Sequence, residues 1–148
     1  MRRHTTRKAL ETRRFARILF SSLRRRKLSH ALVIALQGEL GAGKTTFVQG
    51  LLRSLGVKQN ILSPTFVIMK RFSLRNRKTH FRNVYHIDAY RIHPRDLVAL
   101  NIHTIFEDPN TLVVVEWAER IKKLLPPETI WLQFKHGKSE EERVIIVE

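Results

Sequence analysis

The feature that most constrains this chain is the run Gly38-Glu39-Leu40-Gly41-Ala42-Gly43-Lys44-Thr45, which fills G-x-x-x-x-G-K-[ST] at every fixed position. Its surroundings agree with it. The apolar run 31–36 (ALVIAL) precedes it and reads as a strand buried on both faces, as in a parallel sheet. Helical periodicity follows over 45–55 and stops at Gly56, a C-cap residue. Strand, glycine loop and helix open a βαβ unit. Glycines let the loop turn tightly and aim successive backbone N–H groups at phosphate oxygens, and the helix N-terminus adds partial positive charge. Lys44 supplies a point charge to β- and γ-phosphates, and the Thr45 hydroxyl is a hard oxygen ligand for Mg²⁺. The candidate nucleotide cradle therefore runs through Glu39, Leu40, Gly41, Ala42, Gly43, Lys44, Thr45 and Thr46.

Such a loop needs a carboxylate near the metal and a group that orients the attacking water. Glu116 follows 112–115 (LVVV), and Asp88 follows 84–87 (VYHI). A carboxylate at a strand's C-terminal end faces the crevice where α/β sheets bind ligands. Glu116 is the cleaner metal candidate, against a helix-capping role. Asp88 suits a metal-side or water-side role, against an ion pair with Arg91. In Ser63-Pro64-Thr65-Phe66 the Thr65 hydroxyl either serves as a switch near the γ-phosphate or belongs to a plain turn. His86 reads as packed in its strand, and Trp117 as lining the pocket or anchoring a helix. Arg143 is a weak candidate for nucleotide contact.

The remaining pattern extends the unit to a three-layer α/β fold with a mainly parallel sheet and antiparallel flanking strands, in one domain over 1–148. Strands are expected at 66–72, 82–88, 112–115, 129–134 and 143–147. A helix starts near Pro94, with Leu97, Leu100 and Ile105 behind it, and a short helix runs to Leu125 before Pro126-Pro127. With 148 residues and 43% apolar composition the chain can bury a core. Zero cysteine excludes a disulfide framework, thiolate metal sites and a cysteine nucleophile. No apolar run approaches the ~20 residues of a membrane span, and no secretory h-region opens the chain.

Charge is spread unevenly. Residues 1–30 carry eleven Lys/Arg against Glu11, which is +10 of the total +15. Ala16, Leu19, Phe20 and Leu23 mark one face of a helix, with Arg13, Arg14, Arg17 and Arg24 mostly opposite. The segment reads first as a solvated helix face, second as a docking surface for RNA phosphates or an acidic partner, and last as a mitochondrial presequence. A second basic cluster, Lys70 to Arg82, reads as a solvated hairpin with its tip at Arg75-Asn76-Arg77, its flanking Phe72 and Phe81 packed inward.

The chain lacks N-K-x-D and has no D-x-x-G after either strand-end acid, which argues against a GTPase. A helicase or motor needs far more chain. A small-molecule kinase and a nucleic-acid-binding module holding ATP as a structural ligand remain as alternatives.

The runs GELGAGKTTF (38–47), SPTF (63–66), HIDAYR (86–91) and EW (116–117) resemble the TsaE family, also called YjeE. The resemblance implies a small cytoplasmic P-loop ATPase, using ATP/ADP and Mg²⁺, required for threonylcarbamoyladenosine at position 37 of ANN-decoding tRNAs. It implies a TsaD–TsaB transferase complex as partner, with tRNA met through that complex, and no membrane. It further implies phosphate and Mg²⁺ binding at Lys44 and Thr45, a switch role for Thr65, metal binding and hydrolysis at Asp88 and Glu116, and Trp117 close by. Glu39 stands where the family often has Asp, and the first helix is unusually basic.

Overall fold

The computed structural model describes residues 1–62, 67–75 and 79–148. Thr65 with the rest of 63–66, and Asn76 and Arg77 of the expected hairpin tip, lie outside the described residues. The elements in chain order are β1 (Arg2–Thr6), α1 (Ala9–Leu23), β2 (Leu32–Gly38), α2 (Lys44–Ser54), β3 (Met69–Ser73), β4 (Asn83–Asp88), α3 (Pro94–Ala99), α4 (Ile102–Glu107), β5 (Thr111–Glu116), a 3-10 helix (Ala118–Leu124), β6 (Ile130–His136) and β7 (Arg143–Val147).

The strands form one sheet of order β1-β7-β6-β2-β5-β4-β3. Its four central strands β6, β2, β5 and β4 run parallel, and β3 on one side and β7 and β1 on the other pair antiparallel. This is the expected α/β architecture. The two-period of a strand sends alternate residues to opposite faces. Leu32, Ile34 and Leu36 of β2 join a core with Ala16, Phe20, Phe47 and Leu51 of α1 and α2. Val33 and Ala35 join a second core with Leu97, Ile102, Phe106 and Ile121 from the other layer. Two cores on one sheet explain why β2 reads as unbroken apolar sequence.

Two elements differ from the sequence reading. Residues 2–6 form an edge strand ahead of the first helix, a strand that RRHTT does not announce because four of its five residues are exposed. Its stability comes from the β7 ladder and from Thr6 Oγ1, which lies 2.8 Å from Thr12 Oγ1 in a buried contact with α1. The segment after Pro94 is split into α3 and α4 by Asn101, whose φ of 56° is left-handed. Leu97 is fully buried there, whereas Leu100 is exposed. The short helix expected after β5 is present, as a 3-10 helix over Ala118–Leu124. Phe72 and Phe81 point inward as expected, both buried.

α1 and α2 meet at Gly50. A Cβ on Gly50 would come within 2.5 Å of the Arg13 backbone, so only hydrogen on that Cα lets the helices approach this closely.

Candidate functional site

The site forms where the parallel strands end. β2 runs out at Gly38, the chain turns through 39–43, and α2 starts at Lys44. Gly38 has φ 137°, and a Cβ there would lie 2.2 Å from the Phe134 carbonyl oxygen of the neighbouring strand. Gly43 takes φ 97° as the N-cap of α2. A side chain at Gly38 would have to displace backbone, whereas at Gly43 there is room beside Arg143 and the left-handed φ is what favours glycine. β4 and β5 end in register beside β2: Asp88 pairs with Glu116, and Leu36 with Glu116 on the other side. Strand order therefore places the two acids next to each other at the mouth of the loop, although 28 residues of sequence separate them.

The Lys44 side chain is buried at 6% exposure. Its Nζ donates to the carbonyls of Gly38 at 2.5 Å and Glu39 at 2.8 Å, and stands 3.9 Å from the centre of the Trp117 ring. Burial lowers the Lys44 pKa from its ordinary 10.5, while the negative charges of Glu116, Glu119, Asp88 and Glu39 draw it back up. A phosphate in the loop would compete for the hydrogen bonds the amine now gives to the loop's own carbonyls.

Thr45 Oγ1 donates to Glu116 Oε1 at 2.6 Å, across 71 residues of sequence. Glu116 and Asp88 are 1% and 6% exposed. Asp88 Oδ1 accepts the Tyr90 N–H at 2.9 Å, which holds the carboxylate at the turn leaving β4. Threonine hydroxyl and two carboxylates make an all-oxygen donor set of the kind Mg²⁺ prefers. Among the described residues no group of three or more His, Cys, Asp or Glu side chains is arranged to hold a metal. Mg²⁺ that serves a nucleotide takes its remaining ligands from phosphate and water. The residues fit the metal.

The cleft measures about 450 Å³ and is lined by Leu40, Gly41, Gly43, Lys44, Thr45, Thr46, Asp88, Tyr90, Arg91, Glu116 and Trp117. That size suits a small ligand. Trp117 sits at φ 57°, which turns the chain sharply after Glu116, and its ring lies 4.7 Å from Tyr90. The Arg120 guanidinium covers both rings, 5.0 Å from Tyr90 and 5.8 Å from Trp117.

The structure thus brings Lys44, Thr45, Thr46, Asp88, Glu116 and Trp117 into one cleft. Glu39 contributes its carbonyl to Lys44, and Ala42 is fully buried beneath the loop, away from the cleft lining. Arg143 reaches the loop from its outer side. Its Nε donates to Gly41 O at 3.1 Å, and its Nη1 to the carbonyls of Glu140 and Glu142. The guanidinium is thereby committed to bracing backbone. His136 does similar work, its Nε2 lying 3.1 Å from Leu40 O. Sequence reading missed His136, because nothing local marks a histidine at the end of β6 as adjacent to residue 40. It also left Tyr90 and Arg120 without roles and named Arg91 only as an ion-pair alternative for Asp88, although Tyr90 and Arg91 lie in the run 86–91. His86 is packed in β4 as expected, 1% exposed, with Nε2 3.4 Å from Glu116 Oε2.

Comparison with known proteins identifies the family. The family model "TsaE: Threonylcarbamoyl adenosine biosynthesis protein TsaE" matches residues 6–145. The tRNA threonylcarbamoyladenosine biosynthesis protein TsaE of Rickettsia typhi is 34% identical over 89% of this chain and 85% of its own length. The protein of that name from a Nostoc strain is 40% identical over 64% of this chain, a match that spans 57% of the relative. Among solved structures, Bacillus subtilis YdiB superposes with a TM-score of 0.73 at 28% identity, covering 97% of this chain and 82% of that one. By the extent of the family match and by the identity to its members, the chain belongs to the TsaE family.

Proposed function

We propose that the chain binds Mg²⁺ with ATP or ADP in this cleft and hydrolyses ATP in support of threonylcarbamoyladenosine formation on tRNA, acting on a TsaD–TsaB-type complex in the cytoplasm. The observation that carries the reading is the bond between Thr45 Oγ1 and Glu116 Oε1, with Asp88 paired to Glu116 on the next strand and Lys44 beside them. It joins the three parts that phosphoryl transfer requires: a phosphate loop, a metal-binding hydroxyl and a strand-end carboxylate. The names of the relatives support the tRNA pathway.

In this reading the N–H groups of 41–45 and the Lys44 amine hold the phosphates. Thr45, Glu116 and Asp88 would hold the metal, which when bound would supply positive charge to offset that building on the phosphate oxygens. A carboxylate of the Asp88–Glu116 pair would also orient the attacking water by accepting its hydrogen bond. The rings of Trp117 and Tyr90, capped by Arg120, shield that end of the cleft from solvent. Arg143 and His136 hold the carbonyls of Gly41 and Leu40 and so brace the loop. Arg143 and Arg120 are both engaged within the chain, and turnover is accordingly slow until a partner completes the site.

The test is phosphate release from ATP by the purified chain, with and without TsaD–TsaB and tRNA. Slow hydrolysis that the complex accelerates is expected. Fast unassisted turnover overturns the partner requirement, and phosphate transfer to a small-molecule acceptor would make the chain a kinase.

A further inference from the structure

The two basic clusters that are far apart in sequence line separate grooves that both include residues at the end of α2. Arg13, Arg14 and Arg17 of α1 line one groove with Arg53 of α2, a groove of about 430 Å³ floored by Gly50 and Ser54. The close helix contact at Gly50 is what brings these arginines to one surface. The chain leaving α2 then lines a second groove, of about 650 Å³, in which Lys58 faces Arg71 and Arg75 of the β3 side. A third, smaller groove beside Arg13 and Arg53 runs along Asn60 and Ile61. All seven cations are exposed, and no carboxylate lines any of the three grooves.

Their hydrogen bonds leave that charge uncompensated. Arg13 Nη2 donates to Gln49 Oε1 at 3.0 Å, Arg53 Nη1 to Lys58 O at 2.7 Å, and Arg71 Nη2 to Asn83 Oδ1 at 2.8 Å. Each acceptor is neutral, and the ion pairs among the described residues involve none of these side chains. The band lies at the end of α2 remote from the phosphate loop. Nine residues separate Lys44 from Arg53, or roughly 14 Å along the helix.

We propose that this band binds the phosphodiester backbone of RNA directly. A polynucleotide presents uniform negative charge at regular intervals, and arginine forks onto phosphate oxygens by paired hydrogen bonds. An acidic protein would instead ask for an apolar centre within the contact. Leu10 is the one large apolar residue lining the grooves that is exposed. The proposal stands on the charge and position of the band and is independent of the nucleotide chemistry assigned to the cleft.

The experiment is a titration of fluorescein-labelled tRNA transcript with the full chain, followed by anisotropy from about 50 to 200 mM salt. Arg14→Ala/Arg17→Ala should weaken binding about tenfold or more at low salt. It should also make the plot of log affinity against log salt shallower by roughly 1.5 to 2, two phosphate contacts' worth. Arg14→Lys/Arg17→Lys should keep the wild-type slope. Arg95→Ala/Lys123→Ala removes equal charge from the opposite layer and should leave the slope unchanged. Retained ATP titration and an unchanged melting temperature check that the variants fold. Failure of the wild-type chain to bind tRNA overturns the proposal, as does an equal loss from both alanine pairs. So does full tRNA binding by Arg14→Ala/Arg17→Ala with loss of TsaD–TsaB capture, which would make the band a protein-docking surface.

Discussion

In the cleft at the ends of β2, β4 and β5, Lys44, Asp88 and Glu116 are each no more than 6% exposed, and both signs of charge are interleaved within hydrogen-bond range of backbone or one another. At the far end of α2, Arg13, Arg14, Arg17 and Arg53 stand in solvent with no carboxylate beside them. Both regions are built on the same helix. The difference is one of desolvation: buried charges must be balanced where they stand, so their partners are dictated by geometry. Exposed cations are stabilised by water, can remain unbalanced, and are available to a large anion that releases its counterions on binding.

The largest expected effect would break the cleft half of this comparison. Lys44→Ala removes the buried cation at the phosphate position, and calorimetric titration should show ATP affinity reduced by about a hundredfold or more. Unchanged affinity would mean that the loop does not hold phosphate. Next, Glu116→Ala should retain measurable nucleotide binding while hydrolysis falls roughly a hundredfold, read by phosphate release with TsaD–TsaB present. Full activity would remove Glu116 from the chemistry. The loss of salt dependence expected for Arg14→Ala/Arg17→Ala comes after these and leaves both cleft functions intact.

A smaller effect sharpens how the band is held together. In a helix interior, Gly to Ala ordinarily stabilises by about 1 kcal/mol. At Gly50 the added Cβ meets Arg13 backbone at 2.5 Å, and overpacking of this kind costs about 1–3 kcal/mol. Gly50→Ala should therefore lower the stability measured by urea unfolding, and stabilisation would show that α1 can move away freely. The smallest effect is in pH. Burial holds the Lys44 pKa below its ordinary 10.5. Just below 10.5 the folded chain has released a proton that the unfolded chain still binds, so stability rises with pH there. Lys44→Met should flatten that rise in a series of melting temperatures of the nucleotide-free chain.

Legibility in the sequence followed locality. The loop 38–45 could be read because its constraints act between near neighbours: glycines for left-handed φ, then Lys and Thr at the helix start. β2 and β5 could be read because burial on both faces makes every residue apolar. β1 could not, because an exposed edge strand is held by a backbone ladder that leaves no mark on its side chains. Glu116 and Asp88 were legible singly, as acids after apolar strands, but their pairing is a matter of strand order. The bracing of the loop by His136 and Arg143 spans 96 and 102 residues and was not legible as bracing.

The sequence by itself determined the glycine-loop motif, the α/β layering and the excess of positive charge, since spacing, periodicity and composition are properties of a one-dimensional string. Tertiary structure alone decided that Glu116 receives the Thr45 hydroxyl and stands beside Asp88. It also decided that two separate basic clusters line grooves at the same end of α2. Both depend on which strands neighbour each other and on how closely α1 can approach α2. Those are set by packing of the whole core, which no single segment specifies.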